Sequence, residues 1–414
     1  MIGGDVLAYS FVREFHRAYG VERSIVIMTD DIKMLSSSKF TDCRIVANSG
    51  DPDILVPTLI SINEEITSSD PEAVTIAVGT DDAVAALLAE HREPLENAGI
   101  VIPYEDFEKI DQLSKKDIFY ELCEQLDIPY PKTWYFDCGN TDNIDLPWDE
   151  FSFPIIAKPA DSSAYKHAHI KDKRKAYEIY SLEELKEVWS NIVASDYDGQ
   201  LLIQDFIPGG DDALWIINMY TDENGEIRVI TSGDIVLQDH CPSAIGNPLT
   251  IIGCKNQQLI DYVMRIQDKV KFHGWSTFDI KFDERNGKYV FFEMNIRPGR
   301  SSYYVSLGGV SFVKPIVEDY ILGKEVEKEE SYRPFVYNIV PKYVLEHTVS
   351  DKQVLARIKE LEKTTEPNSD PLHYSADSLA HNFWAWLMRI NYIRKFKRYY
   401  WDTDGKQYVN NNNN

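Results

Sequence analysis

The segment KYVFFEMNIRPGRSS, residues 288–302, places acidic, amide and basic side chains at short intervals. Its alternation predicts a strand, because successive side chains of a strand point to opposite faces. The predicted polar-ended face consists of Tyr289, Phe291, Glu293, Asn295 and Arg297. The opposite face, which is apolar and predicted to pack on a core, consists of Val290, Phe292, Met294 and Ile296. The polar residues at the end of this face, Glu293, Asn295 and Arg297, indicate a site for a charged ligand.

The residues before this segment predict a hairpin that brings two carboxylates together. STFDIKFDERNGKYVFFEMN turns at Asn286-Gly287, a dipeptide typical of tight hairpins. A turn centred on Asn286 places Asp279 opposite Glu293, with side chains about 5 Å apart. Two facing carboxylates repel each other unless a hard cation lies between them, and Mg²⁺ prefers such oxygens. Asn295, on the same strand face, would supply a third oxygen.

A solvent-facing polar stripe is the alternative interpretation of these side chains. Arg297 and Arg300 argue against it. Guanidinium groups beside a carboxylate cluster suit an anionic ligand that is shared between a metal and the arginines.

Further candidate ligand groups lie upstream. Lys158 ends the predicted strand FPIIAK, and Lys116 lies in the first turns of a helix predicted to begin at Ser114. The extended segment LLIQDFIPGGDD could contact an adenine edge through its backbone, and Asp211 or Asp212 could accept a ribose hydroxyl. Each of these signals is weak alone, because a lone lysine after a strand is usually a surface residue.

Two kinds of pattern divide the chain. The first hundred residues alternate helical stretches with apolar runs at 24–29, 43–48 and 74–82, which predicts parallel strands in a doubly wound α/β arrangement. The opening IGGD predicts a tight turn before a helix, and an anion-holding loop is its alternative. From about residue 106, short strands and a second hairpin signal at Asn224-Gly225 predict α+β subdomains with antiparallel sheets.

Length and charge limit the class of protein. The 414 residues are enough for two or three domains, and a net charge of -24 disfavours non-specific binding of the whole surface to nucleic acid or anionic lipid. We expect no nucleic-acid partner. No run of 18 apolar residues occurs, so we expect no transmembrane segment. Five scattered cysteines without metal-ligand spacing predict a reduced, cytoplasmic protein.

In this order, the motifs resemble those of the ATP-grasp superfamily of carboxylate–amine ligases. GWSTFDIKFDERNGKYVFFEMNIRPG is similar to its D…E-x-N metal-binding block, and QDFIPGGDD is similar to its hinge segment. The resemblance implies a pre-ATP-grasp α/β domain at 1–105 and an ATP-grasp domain at 106–325. It divides the latter into a small subdomain at about 130–205 and a large one at about 206–325. Residues 326–414 are predicted to form a connector, charged at 324–334, and an aromatic and basic helical region.

The resemblance also implies an activity and roles for named residues. In this superfamily ATP phosphorylates a carboxylate, and an amine then displaces phosphate to form an amide. Magnesium, with Mn²⁺ as an alternative, is assigned to Asp279, Glu293 and Asn295. Lys116 and Lys158 are assigned to the ATP phosphates, and the rest of the nucleotide is assigned to Gln204, Asp205, Phe206, Ile207 and Asp212. Arg297 and Arg300, with Lys158, are the expected catalytic residues, the arginines holding the carboxylate and the acyl phosphate.

Three departures from the superfamily pattern stand out. The loop after Lys158, DSSAYKHAHIKDKRK, has no glycine, although it is rich in cations (Lys166, Lys171, Lys173, Arg174 and Lys175). His167 and His169 have metal-ligand spacing but no third partner nearby, so we interpret them as loop histidines. Thr277 stands where D-alanine–D-alanine ligases carry arginine, which argues against that activity.

The chain as a whole is most similar to D-aspartate ligases of peptidoglycan synthesis. That resemblance implies aspartate as the carboxylate, a lysine amine as the acceptor in a UDP-linked muropeptide, and a homodimer. The alternatives are a ligase for other amino acids or peptides, an ATP-dependent carboxylase, and a nucleotide-binding regulator without catalysis.

The C-terminal segment HNFWAWLMRINYIRKFKRYYW, residues 381–401, holds eight aromatic residues, five Lys or Arg residues and no acidic residue. We expect a helix that packs its aromatic residues on the catalytic domain. Contact with an anionic membrane surface or a phosphorylated partner is the alternative.

Overall fold

The computed structural model describes residues 1–139, 148–160, 165, 168–174, 176–242, 244–330, 333–365 and 368–403. They form a parallel N-terminal part, a four-stranded antiparallel sheet, a seven-stranded sheet and a set of C-terminal helices. The mixed α/β and α+β class, with its parallel part first and its antiparallel sheets after, is the one that the sequence predicts. None of the helices in these described ranges is long and apolar enough to cross a membrane.

The N-terminal part contains two parallel strand pairs. β1 (Ser24–Met28) pairs with β2 (Thr41–Ile45), and β3 (Thr75–Ile76) pairs with β4 (Ile100–Val101). Ile2 forms parallel bridges with Ile27 and with Gly79, so the first residues of the chain join the two pairs. The helices around them are α1 (Val6–Tyr19), α2 (Lys33–Ser36), α3 (Pro52–Ser69), α4 (Asp82–Glu90) and α5 (Arg92–Asn97).

The IGGD opening forms a turn that caps α1. The Asp5 carboxylate accepts hydrogen bonds from the amides of Leu7 (3.0 Å) and Ala8 (3.1 Å). Gly3 has a φ of 129°, a conformation that favours glycine. Since the protein's own carboxylate occupies the helix N-terminus, the tight-turn interpretation agrees with the structure.

A break separates two helices where the sequence predicts one helix from Ser114. α6 spans Phe107–Ser114 and α7 spans Lys116–Gln125, and Lys115 between them is extended at φ -79° and ψ 124°. Lys116 is therefore the first residue of α7. The prediction placed the helix start two residues too early, because the polar run SKK contains no proline or glycine to mark a break.

The four-stranded sheet has the order β5-β8-β6-β7 and is antiparallel throughout. Its strands are β5 (Thr133–Asp137), β6 (Ile155–Pro159), β7 (Tyr177–Ile179) and β8 (Gln200–Asp205), and α8 (Leu182–Val193) lies between β7 and β8 in the chain. The apolar residues of the sheet and of α8 form a separate core that includes Ile155, Leu185 and Ile203.

The seven-stranded sheet has the order β13-β12-β9-β10-β11-β15, and β14 pairs with β10 in parallel. Its strands are β9 (Leu214–Thr221), β10 (Ile227–Gln238), β11 (Pro248–Gly253), β12 (Gly274–Asp283), β13 (Lys288–Asn295), β14 (Glu329–Glu330) and β15 (Val336–Asn338). The last two strands lie beyond residue 325, where the sequence predicts the large subdomain to end. The predicted charged connector at 324–334 thus contains a strand of this sheet.

Helices cover the large sheet and follow it. α9 (Gln257–Val270) buries Leu259, Val263 and Ile266 in a core shared with the N-terminal part. The short helices α10 (Tyr303–Leu307) and α11 (Lys314–Ile316) follow β13, and α12 (Lys342–Thr348), α13 (Lys352–Thr364) and α14 (Leu379–Tyr399) complete the described chain.

The final helix packs one face on two parts of the protein. Ala385 joins a core with the α1 residues Val6 and Tyr9, whereas Tyr392 and Phe396 join the core of the large sheet. Just before α14, the carboxylate of Asp377 accepts a hydrogen bond from the Tyr9 hydroxyl at 2.7 Å. The helix that the sequence predicts near 381–401 therefore packs on the protein.

Candidate active site

Strands β12 and β13 bring the two predicted carboxylates together. Asp279 pairs directly with Glu293, and Thr277 pairs with Asn295. The turn between the strands is closed by hydrogen bonds from the amides of Asn286 and Gly287 to the Asp283 carbonyl. The register that the Asn-Gly turn predicts for the acidic pair is thus the register of the structure.

A β-bulge changes the faces that strict alternation predicts. The register shifts between Asp279 and Ile280, and Ile280 pairs with Phe291. Phe291 therefore joins the buried core with Met294, whereas Phe292 is only half-buried. The prediction that Phe291 lies on the polar-ended face and Phe292 on the apolar face is wrong, because the bulge reverses the alternation before Glu293.

The bulge also holds α7 against the acidic pair. The Phe291 amide donates to the Pro129 carbonyl at 2.8 Å, and the Tyr120 hydroxyl donates to the Phe292 carbonyl at 2.9 Å. Since Tyr120 belongs to α7, these bonds fix the helix beside β13. The Lys116 ammonium at the start of α7 consequently reaches Glu293 and forms an ion pair with its carboxylate.

The two carboxylates differ in their electrostatic surroundings. Burial and the facing Glu293 carboxylate raise the pKa of Asp279. Burial acts in the same direction on Glu293, but the Lys116 and Lys158 cations outweigh it and lower the pKa of Glu293 below its usual range. The pair therefore favours one negative charge over two, and a divalent cation would favour both.

The amide of Asn295 completes a set of oxygen-bearing groups that fits Mg²⁺. Its Nδ2 donates to the Asp279 carboxylate at 3.3 Å, so the amide lies beside the acidic pair. Among the residues in the described ranges, no three His, Cys, Asp or Glu side chains cluster as metal ligands. A site with two carboxylates and one amide leaves coordination positions for phosphate oxygens, as magnesium sites at nucleotides do.

Lys158 approaches the same site from the small sheet. It lies on β6, paired with Leu202 of β8, and its charge acts on Glu293. Lys116 and Lys158 thus come from different parts of the chain, 42 positions apart in sequence, and converge on one carboxylate.

The predicted arginines have partners in other parts of the chain, and the charge of Arg297 also acts on Asp279. Arg297 donates to the Asp82 carboxylate at 2.6 Å and to the Pro298 carbonyl at 3.0 Å, and its Nε is buried without a partner. Arg300 lies beside Tyr392 of α14 and in the field of Asp5. Both guanidinium groups therefore face the N-terminal domain, near the first residues of α1 and α4.

The predicted nucleotide ligands of the hinge segment differ in burial and in hydrogen-bond partners. The Gln204 side chain is buried, and its Nε2 donates to the Tyr120 hydroxyl (3.0 Å) and to Thr133 Oγ1 (2.8 Å). It thereby connects β8 to α7 and β5, a positioning role that the sequence did not indicate. Asp205 and Phe206 are half-buried and Ile207 is buried.

The two aspartates after the hinge have separate surroundings. Asp211 accepts hydrogen bonds from the amide and side chain of Gln238 (3.0 and 2.8 Å) and lies 2.9 Å from His240 Nε2. Asp212 is exposed. Because the Asp211 carboxylate already accepts hydrogen bonds from Gln238, the exposed Asp212 is the better candidate to bind a ribose hydroxyl.

Two residues near the site were not among the predicted site residues. Asp82 begins α4 and pairs with Arg297, and its only sequence signal is the TDD motif that follows the third predicted strand. Lys281 lies over the Phe206 ring, with its Nζ 5.6 Å from the ring centroid. Burial lowers the pKa of Lys281. Lys281 lies two residues after Asp279, so the alternation of side chains along a strand could have placed both on one face.

Part of the cation-rich loop lies outside the described residues, including Lys166, His167 and Lys175. His169 lies 2.9 Å from the Asp196 carboxylate and is highly exposed. Lys173 donates to the Ala168 carbonyl at 2.8 Å. The interpretation of His169 as a loop histidine agrees with this exposed contact.

Comparison with curated proteins finds a relative of the same length. The chain is 27% identical over 411 residues to a D-aspartate ligase of Enterococcus faecium (strain Aus0004), which covers 98% of this chain and 97% of the relative. It is also 25% identical over 293 residues to the arginine-specific carbamoyl phosphate synthase large chain of Geobacillus stearothermophilus, covering 70% of this chain and 26% of that one. No protein-family model matches the chain.

Solved structures with a similar fold are ATP-dependent ligases and carboxylases of low sequence identity. An N5-carboxyaminoimidazole synthetase from Staphylococcus aureus superposes with a TM-score of 0.58 at 12% identity, covering 83% of this chain and 82% of that chain. An L-amino acid ligase from Bacillus licheniformis superposes with a TM-score of 0.54 at 14% identity, covering 82% and 79%. These likenesses show the fold. Together with the similarity to a D-aspartate ligase over nearly the whole chain, they agree with the ATP-grasp fold and the carboxylate–amine ligase chemistry that the sequence motifs predict.

Proposed function

We propose that the protein joins the β-carboxylate of D-aspartate to the lysine side chain of a peptidoglycan precursor, with ATP hydrolysed to ADP and phosphate. The observation that carries the ligase chemistry is the pairing of Asp279 with Glu293 beside Asn295, Lys116 and Lys158. The full-length similarity to a D-aspartate ligase supports aspartate as the donor.

The nucleotide would lie between the small and large sheets. Lys116 and Lys158 converge on Glu293 and would pair with ATP phosphates once a cation occupies the acidic pair. The extended segment from Gln204 to Ile207 offers backbone groups for an adenine edge, and exposed Asp212 offers a carboxylate for a ribose hydroxyl. The Gln204 side chain would act only by positioning, because Tyr120 and Thr133 occupy it.

Asp279, Glu293 and Asn295 would hold Mg²⁺, with Mn²⁺ as an alternative ion. When bound, the ion neutralises negative charge on the phosphates. The protein's own contribution is to keep two carboxylates opposite each other on neighbouring strands, ready for a dication.

Arg297 and Arg300 would hold the donor carboxylate and stabilise the charge that develops during transfer. In the first step a carboxylate oxygen attacks the terminal phosphorus of ATP, the bond to the bridging oxygen breaks, and ADP leaves. In the second step the unprotonated amine attacks the acyl carbon, phosphate leaves with the electron pair, and the nitrogen loses a proton. The substrates supply both nucleophiles, so no nucleophilic side chain is needed.

The acceptor that best fits this chemistry is a UDP-linked muropeptide with a free lysine amine, used in the cytoplasm where ATP is available. This part of the proposal rests on the similarity to D-aspartate ligase.

The test is ADP release with Mg²⁺ across D- and L-amino acids, each alone and with lysine-containing stem peptides, with products identified by mass. We expect release with D-aspartate and a stem peptide, and a product heavier by one aspartyl residue. Release only with another pair would retain the ligase and exclude D-aspartate. Dependence on bicarbonate would indicate a carboxylase, products from free amino acids would indicate a dipeptide ligase, and ATP binding without turnover would indicate a regulator.

A further inference from the structure

Helix α14 has a second apolar face, which points away from the protein. Phe383 and Trp386 are 52% and 54% exposed, and Ile390 is 37% exposed. The three residues are spaced by three and four positions, so they lie in one row along the helix. Trp384, beside this row, is 36% exposed. Because the opposite face holds buried Ala385, Tyr392 and Phe396, the outward residues contribute little to the core.

The same outward row becomes basic toward the end of the helix. Arg394 and Lys397 continue the spacing after Ile390, and Arg398 lies beside them. All three are exposed, and none of them forms an ion pair with a residue in the described ranges. From Phe383 to Lys397 the row extends about 21 Å at the rise of an α-helix.

The remaining cations of the helix face inward and have partners. Arg389 pairs with Asp370, and Lys395 pairs with Asp239. These acidic neighbours neutralise only the inward cations. No acidic residue occurs between Asp377 and Asp402. The outward row is therefore positively charged in a chain whose net charge is -24.

We propose that this outward face of α14 docks on the surface of an anionic lipid bilayer. Tryptophan and phenylalanine favour the region between headgroups and acyl chains, and nearby Lys and Arg side chains favour anionic headgroups. A helix that lies in the membrane plane needs apolar and basic residues on the same exposed side, and α14 has this arrangement. The inference is independent of which substrates the ligase uses.

A second copy of the chain fits this face less well. In a two-fold dimer with antiparallel helices, the apolar half around Phe383 would meet the basic half around Lys397. With parallel helices, the two basic halves would lie side by side and repel. The bilayer is the partner that accommodates both halves at once.

The test is sedimentation of the full-length protein with vesicles of equal parts phosphatidylcholine and phosphatidylglycerol, and with phosphatidylcholine vesicles alone. We expect binding to the anionic vesicles that weakens as salt rises, and a blue shift of tryptophan fluorescence on binding. No sedimentation with anionic vesicles at low salt would overturn the proposal.

Two variants locate the contact. Arg394→Glu, Lys397→Glu and Arg398→Glu together should lower the partition coefficient roughly 100-fold, since each basic residue near an anionic surface contributes about five-fold. Phe383→Ser with Trp386→Ser should lower it at least about ten-fold through lost apolar insertion. Both variants should keep the wild-type melting temperature, because the residues are exposed.

The matched control is Lys352→Glu, Lys359→Glu and Lys363→Glu on α13, which are exposed and change the net charge equally. We expect this control to change vesicle binding by no more than about three-fold, since charges beyond a Debye length are screened. Equal losses in the control and the α14 variant would overturn the proposal. Self-association that the Phe383 and Trp386 changes abolish, without vesicle binding by the wild type, would assign the face to a dimer instead.

Discussion

The two hairpins of the large sheet, β9–β10 and β12–β13, have similar turn residues and differ in the middle of their strands. Each turn contains an Asn-Gly pair, with Gly225 and Gly287 at φ 75° and 69°. Each is closed by a buried aspartate that accepts backbone amides and pairs with an arginine: Asp222 with Arg228, and Asp283 with Arg285. The turn chemistry alone is therefore sufficient to form a hairpin.

The two hairpins differ in the residues that face each other at the centres of their strands. In β9–β10 no two charged residues face each other, and the central pairs include Asn218 with Thr231 and Met219 with Ile230. In β12–β13 two carboxylates face each other. A sheet that served only stability would avoid this pair, so the contrast separates the hairpin that builds the fold from the hairpin that also carries the proposed metal site.

The largest effect should come from Glu293→Gln. The change keeps the size of the side chain and removes the charge that pairs with Lys116. We expect kcat for ADP release to fall about 10³-fold, the scale of losing one group that stabilises transferring charge. Because the change removes the ion pair with Lys116, the melting temperature should fall slightly while the protein stays folded.

The control for this variant is Asp283→Asn in the same hairpin, which should retain turnover. Wild-type activity in Glu293→Gln would contradict the metal assignment of the acidic pair.

A pH-dependent effect should appear at Asp234, on β10 of the first hairpin. Burial raises the pKa of Asp234 to about 6. Because the unfolded carboxyl ionises at lower pH, the free energy of unfolding should fall by about 2 kcal/mol as pH rises from 4 to 6, and then stay level. The Asp234→Asn variant should lack this decline.

Urea denaturation of the wild type and Asp234→Asn at pH 4 and pH 7 measures the difference directly. A constant gap between the two proteins across this range would show that Asp234 has an ordinary pKa in the folded state.

The turn aspartates should affect stability and not activity. Asp283 accepts hydrogen bonds from Arg285 Nε (2.9 Å) and Nη2 (2.8 Å), and Asp222 accepts one from Arg228 Nε (2.6 Å). Changing either aspartate to asparagine should lower the free energy of unfolding by about 2 kcal/mol, since charged hydrogen bonds in a buried site are lost. Chemical denaturation measures the loss. A large loss of kcat in Asp222→Asn would show that the β9–β10 hairpin also contributes to activity.

The smallest effects should come from the turn glycines, and they should be unequal. Alanine at position 287 would meet no atom within 4 Å, so only the backbone strain of about 1 kcal/mol applies. Alanine at position 225 would approach Lys271 Cδ at 2.9 Å and must also displace that side chain. Thermal melting should therefore rank Gly225→Ala below Gly287→Ala. The reverse order would show that the two turns differ in ways their sequences do not indicate.

The hairpins also show what the sequence could predict. Asn224-Gly225 and Asn286-Gly287 are local signals, and the centre of the second turn was enough to place Asp279 opposite Glu293. The bulge near Phe291 could not be predicted from alternation, because the backbone groups there bond to Pro129 and Tyr120, which are far away in the chain.

The other differences between the prediction and the structure involve residues that are far apart in the chain. The Arg297–Asp82 pair joins residues 215 positions apart. The inward direction of Gln204 depends on Tyr120. Strand β14 adds part of the charged stretch at 324–334 to the large sheet, and two glutamates give no apolar pattern that would predict a strand. The assignments of site residues to ligands and the domain boundaries stay predictions.

The hydrogen bond between Tyr9 and Asp377 spans 368 positions, and α14 follows it immediately. Helix α1 therefore lacks part of its packing until the chain has been synthesised through Asp377. Arg300 gains its neighbour Tyr392 at the same late moment. A nascent chain that stops before α14 would expose the α1 residues Val6 and Tyr9, which share a core with Ala385 in the folded protein.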